Sequence, residues 1–485
     1  MDITYKPYID PEFESLIERI NPPRVCIDND TFPDCTLVKV DSANKQGMLL
    51  EMVQVLTDLD LIISKSYISS DGGWLMDVFH VTDQLGNKVT EQSLLCYIQE
   101  GICTSRQASK GVKRKNGLEE AHQEASTGRM VLEMTGIDRP GLMSEMSAVL
   151  AELGCHISNA VAWTHNGRVA CIIYVEDGSD HGPKIEPCRV AHIQAQLENV
   201  VEAHHYKDEP RSLRLSPPAA SQTHRERRLH QIMAAEGDYE ESCSCCGCTG
   251  DDIYGYEKWR EGQSKRCNRT HVQVESCKKM GYSLVSVRSR DRPKLLFDTL
   301  CALMDLQYVV SHAAISSEGS VAIQEYYLRH KNGGTLDSEG EKRKVIRCLT
   351  AATERRASHG LRLEICTKNR TGLLSDVTRI FRENGLSITR AEIGTRGEKA
   401  IGTFYVKDVS DDHVSPRTVE IVRQEIGGTI IVGNKSPSGA SPEASFSRTR
   451  GSSGSGIEEG PRLSFGSLLW AQLERLSNNF RPIKS

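Results

Sequence analysis

A single structural unit recurs four times along the 485-residue chain, and this recurrence constrains the fold more than any other feature of the sequence. Each copy begins with a strand of alternating apolar residues, followed by a polar loop and an amphipathic helix whose apolar residues fall at i, i+3, i+4 and i+7. Two β-branched strands follow, joined by a tight glycine turn of the kind that hairpins require. A second helical segment comes after each hairpin, and a fourth strand is recognisable at 200–205 in the second copy and at 429–432 in the fourth. The pattern predicts an α+β fold of four ferredoxin-like βαββαβ domains, each an antiparallel sheet with helices on one face.

The spacing of the copies sets the expected domain boundaries. The four repeats are expected at 35–115, 129–208, 282–358 and 361–435. The remaining segments are an N-terminal extension at 1–34, a central linker with a cysteine-rich run at 209–281, and a Ser/Gly-rich tail at 436–485. The composition of that tail predicts disorder.

Composition and charge argue against several functional classes. A net charge of −5 provides no large positive field, so nucleic acid is not an expected partner. No apolar stretch approaches the roughly 20 residues that span a bilayer, and the acidic segment 1–21 is unlike a targeting presequence. We therefore expect a protein of the cytoplasm or nucleus, without a membrane partner, whose 16 cysteines are mostly reduced.

The loop between the first strand and the first helix of each copy carries the most informative chemistry. Asp138 and Asn369 stand where a side-chain oxygen can cap the helix, and a glycine closes both loops. Glycine lets the backbone approach a ligand closely, and the free amides and dipole at a helix start attract a carboxylate. The Asp or Asn can then meet an ammonium group, so that one loop can hold both charged ends of an α-amino acid.

The same loop pattern is also what an ordinary, well-capped helix requires, so for any single copy both interpretations stay open. Four recurrences favour a ligand site in one or two of the copies. The third copy has Lys294 in place of the glycine, and the first has only the looser Asn44-Lys-Gln-Gly47. Those two loops depart from the pattern.

The segment Asp138-Arg-Pro-Gly-Leu142, placed between a strand and a helix and followed by a hairpin, resembles the ACT domain of amino-acid-regulated enzymes. Four copies with a long central linker resemble the plant ACR (ACT domain repeat) family. The segments Tyr8-Ile-Asp-Pro-Glu-Phe13, Arg227-Arg-Leu-His230 and Asp291-Arg-Pro-Lys-Leu-Leu-Phe297 also look like that family. ACR proteins resemble, in addition, the ACT region of bacterial nitrogen-sensing uridylyltransferases but lack the catalytic domains of those enzymes.

The resemblance implies that ACT units pair side by side into a continuous sheet and that amino acids bind at the interface between paired units. The residues that match the family's ligand loop are Asp138, Arg139, Pro140, Gly141 and Leu142 in repeat two, and Asn369, Arg370, Thr371, Gly372 and Leu373 in repeat four. The second-strand residues expected to close the site from the partner unit are Ile157, Ser158, Asn159, Ser387, Ile388 and Thr389.

A cysteine run in the linker is the one candidate for metal chemistry. Cys243, Cys245, Cys246 and Cys248 supply thiolates but not the two spaced C-x-x-C pairs of a zinc site, so a reduced or redox-labile loop is the favoured interpretation. Signatures of nucleotide-binding, hydrolytic and metalloprotease sites are missing from the sequence.

The sequence therefore predicts a non-catalytic, amino-acid-binding regulatory protein without a cofactor. Its expected partners are a free amino acid and an unidentified protein, and ACT pairing offers a route to homo-oligomers. Two alternatives remain: an interaction scaffold that binds no small ligand, and a metal-dependent enzyme that uses the cysteine run.

Overall fold

The computed structural model describes the chain between residues 23 and 433. The gaps within that range are residues 72, 105–128, 166, 178–186, 204–209, 219–222, 236–269, 278–279, 356–359, 397, 411–413 and 428. The cysteine-rich run, the tail at 436–485 and most of the N-terminal extension lie outside the described residues, so the predictions made for them stay predictions.

Repeats one and two each contribute four strands and two helices. Repeat one consists of β1 (Arg24–Asp28), β2 (Thr36–Ala43), α1 (Met48–Asp58), β3 (Ile62–Asp71), β4 (Trp74–Thr82) and α2 (Gln92–Thr104). Repeat two consists of β5 (Arg129–Ile137), α3 (Leu142–Glu152), β6 (Cys155–His165), β7 (Arg168–Asp177), α4 (Pro187–Glu202) and β8 (Ser212–Ser216). The central linker contributes a further helix, α5 (Arg225–Ala235).

Repeats three and four follow the same two patterns. Repeat three consists of β9 (His271–Cys277), β10 (Tyr282–Arg290), α6 (Leu295–Asp305), β11 (Tyr308–Glu318), β12 (Val321–His330) and α7 (Glu339–Arg355). Repeat four consists of β13 (Leu361–Lys368), α8 (Leu373–Glu383), β14 (Leu386–Arg396), β15 (Lys399–Asp408), α9 (Pro416–Ile426) and β16 (Thr429–Gly433).

The repeats pair alternately along the chain, one with three and two with four. The first sheet has the strand order β1-β2-β4-β3-β11-β12-β10-β9, and the second has the order β16-β13-β15-β14-β6-β7-β5-β8. Antiparallel pairing of β3 with β11 joins the first pair, and Ile68 lies opposite Ala313 there. Pairing of β6 with β14 joins the second pair, and Ala162 lies opposite Ala391. The predicted ferredoxin-like fold and side-by-side pairing are therefore present.

The edge strands of repeats one and three come from the N-terminal side, which corrects the predicted element order. Strand β1 lies within the segment assigned to the N-terminal extension, and β9 lies within the segment assigned to the linker. Each occupies the position that β8 and β16 fill in the other two repeats. These strands are short, with only Val25 and Ile27, or Val272 and Val274, facing the core. So few alternating residues give a weak strand signal in the sequence.

The strand predicted at 200–205 is wrong. Residues up to Glu202 continue α4, because Ile193, Leu197 and Val201 are buried at the spacing of a helix face. The fourth strand of repeat two is β8, within the segment assigned to the linker, and it pairs with β5.

Two hydrophobic cores lie between the helices and their sheets, one for each pair of repeats. Helix α5 packs on the opposite face of the second sheet, where Leu229 and Met233 meet Trp163 and Ile172 in a third apolar cluster. On its other side, Arg227 of α5 forms an ion pair with Asp305 of α6, and His230 of α5 lies 2.9 Å from Asp298 of α6. The linker helix thus joins the two pairs of repeats. None of the helices in the described part of the chain is both long and apolar enough to cross a bilayer.

Candidate ligand pockets between repeats two and four

The loop before the first helix is anchored in the same way in repeats two and four. The backbone amide of Asp138 donates to the carbonyl of Gly167 at 2.7 Å, and the amide of Asn369 donates to the carbonyl of Glu398 at 2.7 Å. Both acceptors lie in the turn of the following hairpin. The hairpin therefore fixes where the loop begins relative to the sheet.

The helices begin at a glycine in the left-handed region, not at a side-chain cap. Gly141 has φ 87° and Gly372 has φ 77°, and neither α3 nor α8 has a side-chain hydrogen bond at its N-cap. The capping role that the sequence suggested for Asp138 and Asn369 is therefore wrong. The first amide of each helix, that of Leu142 or Leu373, donates to the carbonyl of the loop arginine at 3.2 Å. The next two amides of each first turn have no such acceptor among the described residues, so they are suited to an anion from outside the helix.

The loop arginine pairs with an acid in the first turn of its own helix, a contact that the sequence reasoning missed. Arg139 binds both carboxylate oxygens of Glu145, at 3.0 and 2.5 Å, and Arg370 lies 2.5 Å from Asp376. The signal was present, since an acid follows six residues after the arginine in both loops. The arginine braces the loop, and its charge is already balanced.

The larger pocket lies at the loop of repeat four and contains about 590 Å³ of empty space, part of it open to solvent. The loop contributes Asn369, Arg370, Gly372 and Leu373, and Ile157 from β6 of repeat two closes the opposite side. The side-chain amide nitrogen of Asn369 lies 3.3 Å from Nε2 of His156 in β6. Both repeats therefore build this pocket, as expected from the resemblance to ACT domains.

The smaller pocket, of about 450 Å³, is the counterpart at the loop of repeat two. It is lined by the loop residues Asp138, Arg139, Gly141 and Leu142 and by the β14 residues Ser387, Ile388 and Thr389. The two pockets are thus related by the approximate twofold symmetry of the paired repeats. In each, a loop faces the second strand of the partner unit.

The smaller pocket combines an acid with an arginine. Burial raises the pKa of Asp138 to about 6, partly offset by the positive charge of Lys407. Arg382 of α8 lines the same pocket and has no hydrogen-bond or ion-pair partner within the part of the chain that the structure describes. A Cβ at Gly141 would lie 2.9 Å from Cδ of Arg382, so the glycine is needed for this close approach as well as for its positive φ.

Four of the sixteen predicted residues do not line either pocket: Pro140, Thr371, Ser158 and Asn159. A β-bulge between Ile157 and Asn159 shifts the register of β6. The side chain of Asn159 consequently lies on the far face of the sheet, where its oxygen accepts a hydrogen bond from Arg225 of α5 at 2.7 Å. The sequence also missed lining residues from helices and hairpins, among them Ser147, Ala151, Thr164, Arg382 and Gly402.

The loops of repeats one and three have different neighbours from those of repeats two and four. A Cβ at Gly47 would lie 3.7 Å from the methyl group of Met304 in α6. In repeat three, Lys294 holds the left-handed position with φ 65°, and its ammonium lies 2.8 Å from Glu226 of α5. The linker helix therefore covers the loop that lacks the glycine.

The described part of the chain contains no arrangement of side chains that resembles a metal site. Among the residues that the structure describes, no group of three or more His, Cys, Asp or Glu side chains is arranged to hold a metal ion. The four cysteines at 243–248 lie outside those residues.

The architecture of side-by-side βαββαβ units, with glycine loops meeting the partner's second strand, defines a protein built from paired ACT domains. A family model described as the ACR family N-terminal ACT domain matches residues 31–109, and the ACT domain model matches residues 361–427.

The full-length relatives identify the family. The chain is 52% identical to ACT domain-containing protein ACR1 and 44% identical to ACT domain-containing protein ACR2, both from Arabidopsis thaliana, over 99–100% of each chain. A stretch of 81 residues, 17% of this chain, is 40% identical to 9% of the bifunctional uridylyltransferase/uridylyl-removing enzyme of Azospirillum brasilense. The chain belongs to the ACR family of ACT domain-containing proteins.

Proposed function

We propose that this ACT domain protein is a non-catalytic sensor that binds a free amino acid in the pockets between repeats two and four and thereby changes its affinity for a protein partner. The observation that carries the proposal is that each pocket is lined by residues of both repeats. A ligand bound there contacts both units, so its binding energy depends on how the units are arranged.

The smaller pocket offers a separate group to each end of a zwitterion. Asp138 can accept hydrogen bonds from the ammonium group once its carboxyl is ionised. The first-turn amides of α3 and the guanidinium of Arg382 can bind the carboxylate. In the larger pocket, the oxygen of Asn369 takes the place of the acid, and the amides at the start of α8 have the same role.

The signal would pass through the arrangement of the paired units. A ligand shifts such an equilibrium only by its differential affinity for the two arrangements, typically about 1–3 kcal/mol. Helix α5 touches β6 at Asn159 and α6 at Asp305, so it links the ligand-binding pair of repeats to the other pair. A partner protein that contacts both pairs would sense the change.

Isothermal titration of the full-length protein with each of the twenty proteinogenic amino acids tests the proposal. We expect at least one to bind with a Kd below about 1 mM, which corresponds to roughly −4 kcal/mol. Substitution of Asp138 and Asn369 by alanine should weaken that binding at least tenfold. The matched control is Asp291→Ala, because Asp291 holds the same loop position in repeat three, where the linker helix covers the loop.

The alternative of a ligand-independent scaffold predicts a different result. A scaffold would show no amino acid binding below about 1 mM in the wild-type protein. The same loop variants would then leave the association with a protein partner unchanged, with or without amino acids. That combination would overturn the sensor proposal.

A further inference from the structure

The two pockets occupy equivalent positions but differ at the helix that faces each loop. Ala151 and Arg382 are the penultimate residues of α3 and α8, respectively, and each faces the loop of the other repeat. A Cβ at Gly372 would lie 3.8 Å from Cβ of Ala151, whereas one at Gly141 would lie 2.9 Å from Cδ of Arg382. The larger pocket therefore has the small, uncharged side chain of Ala151 at its mouth, where the smaller pocket has the long, charged side chain of Arg382.

The floors of the pockets differ as well. Gly402 pairs with Ile365 in β13, and Cys171 pairs with Met134 in β5, at the same distance in the chain from the respective loop. Cys171 is fully buried and fills its position in the core. Gly402 has no side chain, so the ring of Phe404 lies over that position, 2.7 Å from where a Cβ would be, and both residues line the larger pocket.

The innermost part of the larger pocket is lined by side chains of the hydrophobic core. Ile365, Val377 and Phe404 belong to the hydrophobic core of the second sheet, and all three line this pocket. A side chain that entered from the loop would consequently replace empty space in an apolar core and lose contact with water.

The two pockets also differ in the number of charged residues that line them. The larger pocket has one charged lining residue, Arg370, which already pairs with Asp376. The smaller pocket is lined by Asp138, Arg139, Arg382 and Arg390. An apolar side chain would meet uncharged walls in the first case and desolvate charged groups in the second.

We propose that the larger pocket selects free amino acids with a bulky apolar side chain, such as leucine, isoleucine, methionine or phenylalanine. This inference rests on the proposed function. The α-ammonium and α-carboxylate groups stay at the loop near Asn369, while the side chain extends over Gly402 towards Phe404. The smaller pocket does not accept such a side chain.

Titration calorimetry of the full-length protein with leucine, phenylalanine, alanine and aspartate tests this selectivity. We expect leucine or phenylalanine to bind at least tenfold more tightly than alanine, since one methylene group in an apolar pocket discriminates roughly 10–200-fold. Aspartate should bind more weakly still at this site. Equal affinities for the four ligands would overturn the selectivity but leave the amino acid sensor standing, and binding by none of them or the other amino acids would overturn both.

Two substitutions and a control assign the site. Ala151→Met introduces the side chain that Met304 presents at the corresponding position in repeat three, and it should reduce leucine affinity at least tenfold. Gly402→Cys introduces the counterpart of Cys171 and should reduce leucine affinity more than alanine affinity. Because a Cβ at Gly402 would lie 2.7 Å from the Phe404 ring, folding of this variant is checked by circular dichroism, and Ala151→Met gives the independent result. Asp291→Ala, at the covered loop of repeat three, should leave leucine binding unchanged, and a loss of leucine affinity in Asp291→Ala as large as in Ala151→Met would contradict the assignment.

Discussion

Nε2 of His230 lies 2.9 Å from Oδ1 of Asp298, and both side chains are almost completely excluded from solvent. His230 belongs to the linker helix α5, and Asp298 belongs to the first turn of α6 in repeat three. The other carboxylate oxygen of Asp298 lies 2.7 Å from Arg292 in the loop of the same repeat. The ring of Trp163 in repeat two packs against His230 with centroids 5.0 Å apart. One buried carboxylate therefore holds the linker helix between two repeats.

Removal of that carboxylate should strongly destabilise the protein. Asp298→Ala leaves His230 and Arg292 buried without this acceptor, and loss of one partner from a buried pair typically costs about 3–5 kcal/mol. Urea unfolding, followed by the near-ultraviolet circular dichroism of the tryptophans, Trp163 among them, measures the change in the free energy of unfolding.

Asp305→Ala is the matched control, because Asp305 also pairs with the linker helix but is about a quarter exposed, as is its partner Arg227. We expect a loss of less than about 1 kcal/mol from that pair. Equal losses in the two variants would show that the buried triad has no special role.

Asp77 should make the stability of the first sheet fall as the pH rises. Complete burial raises the pKa of this carboxyl to about 8, and the hydrogen bond from the amide of Ser69 lowers it by a smaller amount. The neutral form is therefore favoured in the folded state. The favourable contribution is fully present below about pH 4 and is lost as the pH rises towards 8, at about 1.4 kcal/mol per pH unit.

Asp77→Asn, which is neutral at every pH, should remove this dependence. Urea unfolding at pH 5, 6.5 and 8 measures the free energy of unfolding of wild type and variant. As the pH rises, the wild type should lose stability relative to the variant. Asp83→Asn is the control, since hydrogen bonds lower the pKa of Asp83 and its ionisation is complete over this range. A pH-independent difference for Asp77→Asn would contradict the assignment.

Ligand binding in the smaller pocket should weaken as the pH falls through 6. Burial raises the pKa of Asp138 to about 6, and only the ionised carboxylate attracts an ammonium group. Affinity should therefore be constant above about pH 7 and decrease by up to about tenfold per pH unit below 6. Calorimetry at pH 5 and pH 7.5 measures the ratio of the two dissociation constants.

In the Asp138→Asn variant the two dissociation constants should be equal, because the amide does not titrate. The larger pocket supplies an internal comparison, since Asn369 stands in place of the acid there. A ratio that persists in the Asp138→Asn variant would assign the titration to a different group.

Lys294→Gly should destabilise the protein although it relieves backbone strain. Glycine adopts φ 65° without the roughly 1–2 kcal/mol that the left-handed region costs other residues. Removal of the ammonium, however, breaks the 2.8 Å ion pair with the carboxylate of Glu226, which is 1% exposed. We expect a net loss of about 2 kcal/mol or more, because loss of one buried partner costs more than the strain.

Two companion variants separate the opposing effects. Gln307→Gly has the same positive φ and no comparable ion pair, so it should be neutral or stabilising by up to about 1 kcal/mol. The double variant Lys294→Gly with Glu226→Gln should recover much of the loss. If Lys294→Gly alone stabilised the chain, the ion pair to the linker helix would be dispensable.

The repeat pattern was sufficient to predict the unit, because the helix period and the alternating strands are strong local signals in all four copies. The alternation of pairing, one with three and two with four, was beyond the sequence alone. It depends on contacts such as Ile68 opposite Ala313 and Ala162 opposite Ala391, and apolar residues of this kind occur at comparable positions in every repeat. The edge strands β1 and β9 were missed because two inward-facing valine or isoleucine residues do not distinguish a strand from a loop.

The sequence indicated those residues of the candidate site that belong to the loops. It did not indicate the residues that tertiary packing brings to the pockets from other elements. The loop glycines Gly141 and Gly372 were expected to let the backbone approach a ligand closely, and both line the pockets. Asn159 was placed on the wrong face because a single bulged residue reverses the alternation of β6, and no sequence signal marks the bulge. Arg382 and Gly402 were missed because they reach the pockets from a helix end and a hairpin far along the chain.

The interleaved pairing of repeats has a consequence for synthesis on the ribosome. Ser69 and His312, whose side chains lie 3.2 Å apart across the junction of the first sheet, are separated by 243 residues of chain. At about 5–20 residues per second, the edge of β3 waits on the order of tens of seconds for its neighbour to be translated. The edge of β6 waits as long for β14, so the nascent polypeptide emerges with two open hydrogen-bonding edges, the kind of surface that invites association with other chains. Productive folding therefore depends on shielding those edges until β11 and β14 have been translated.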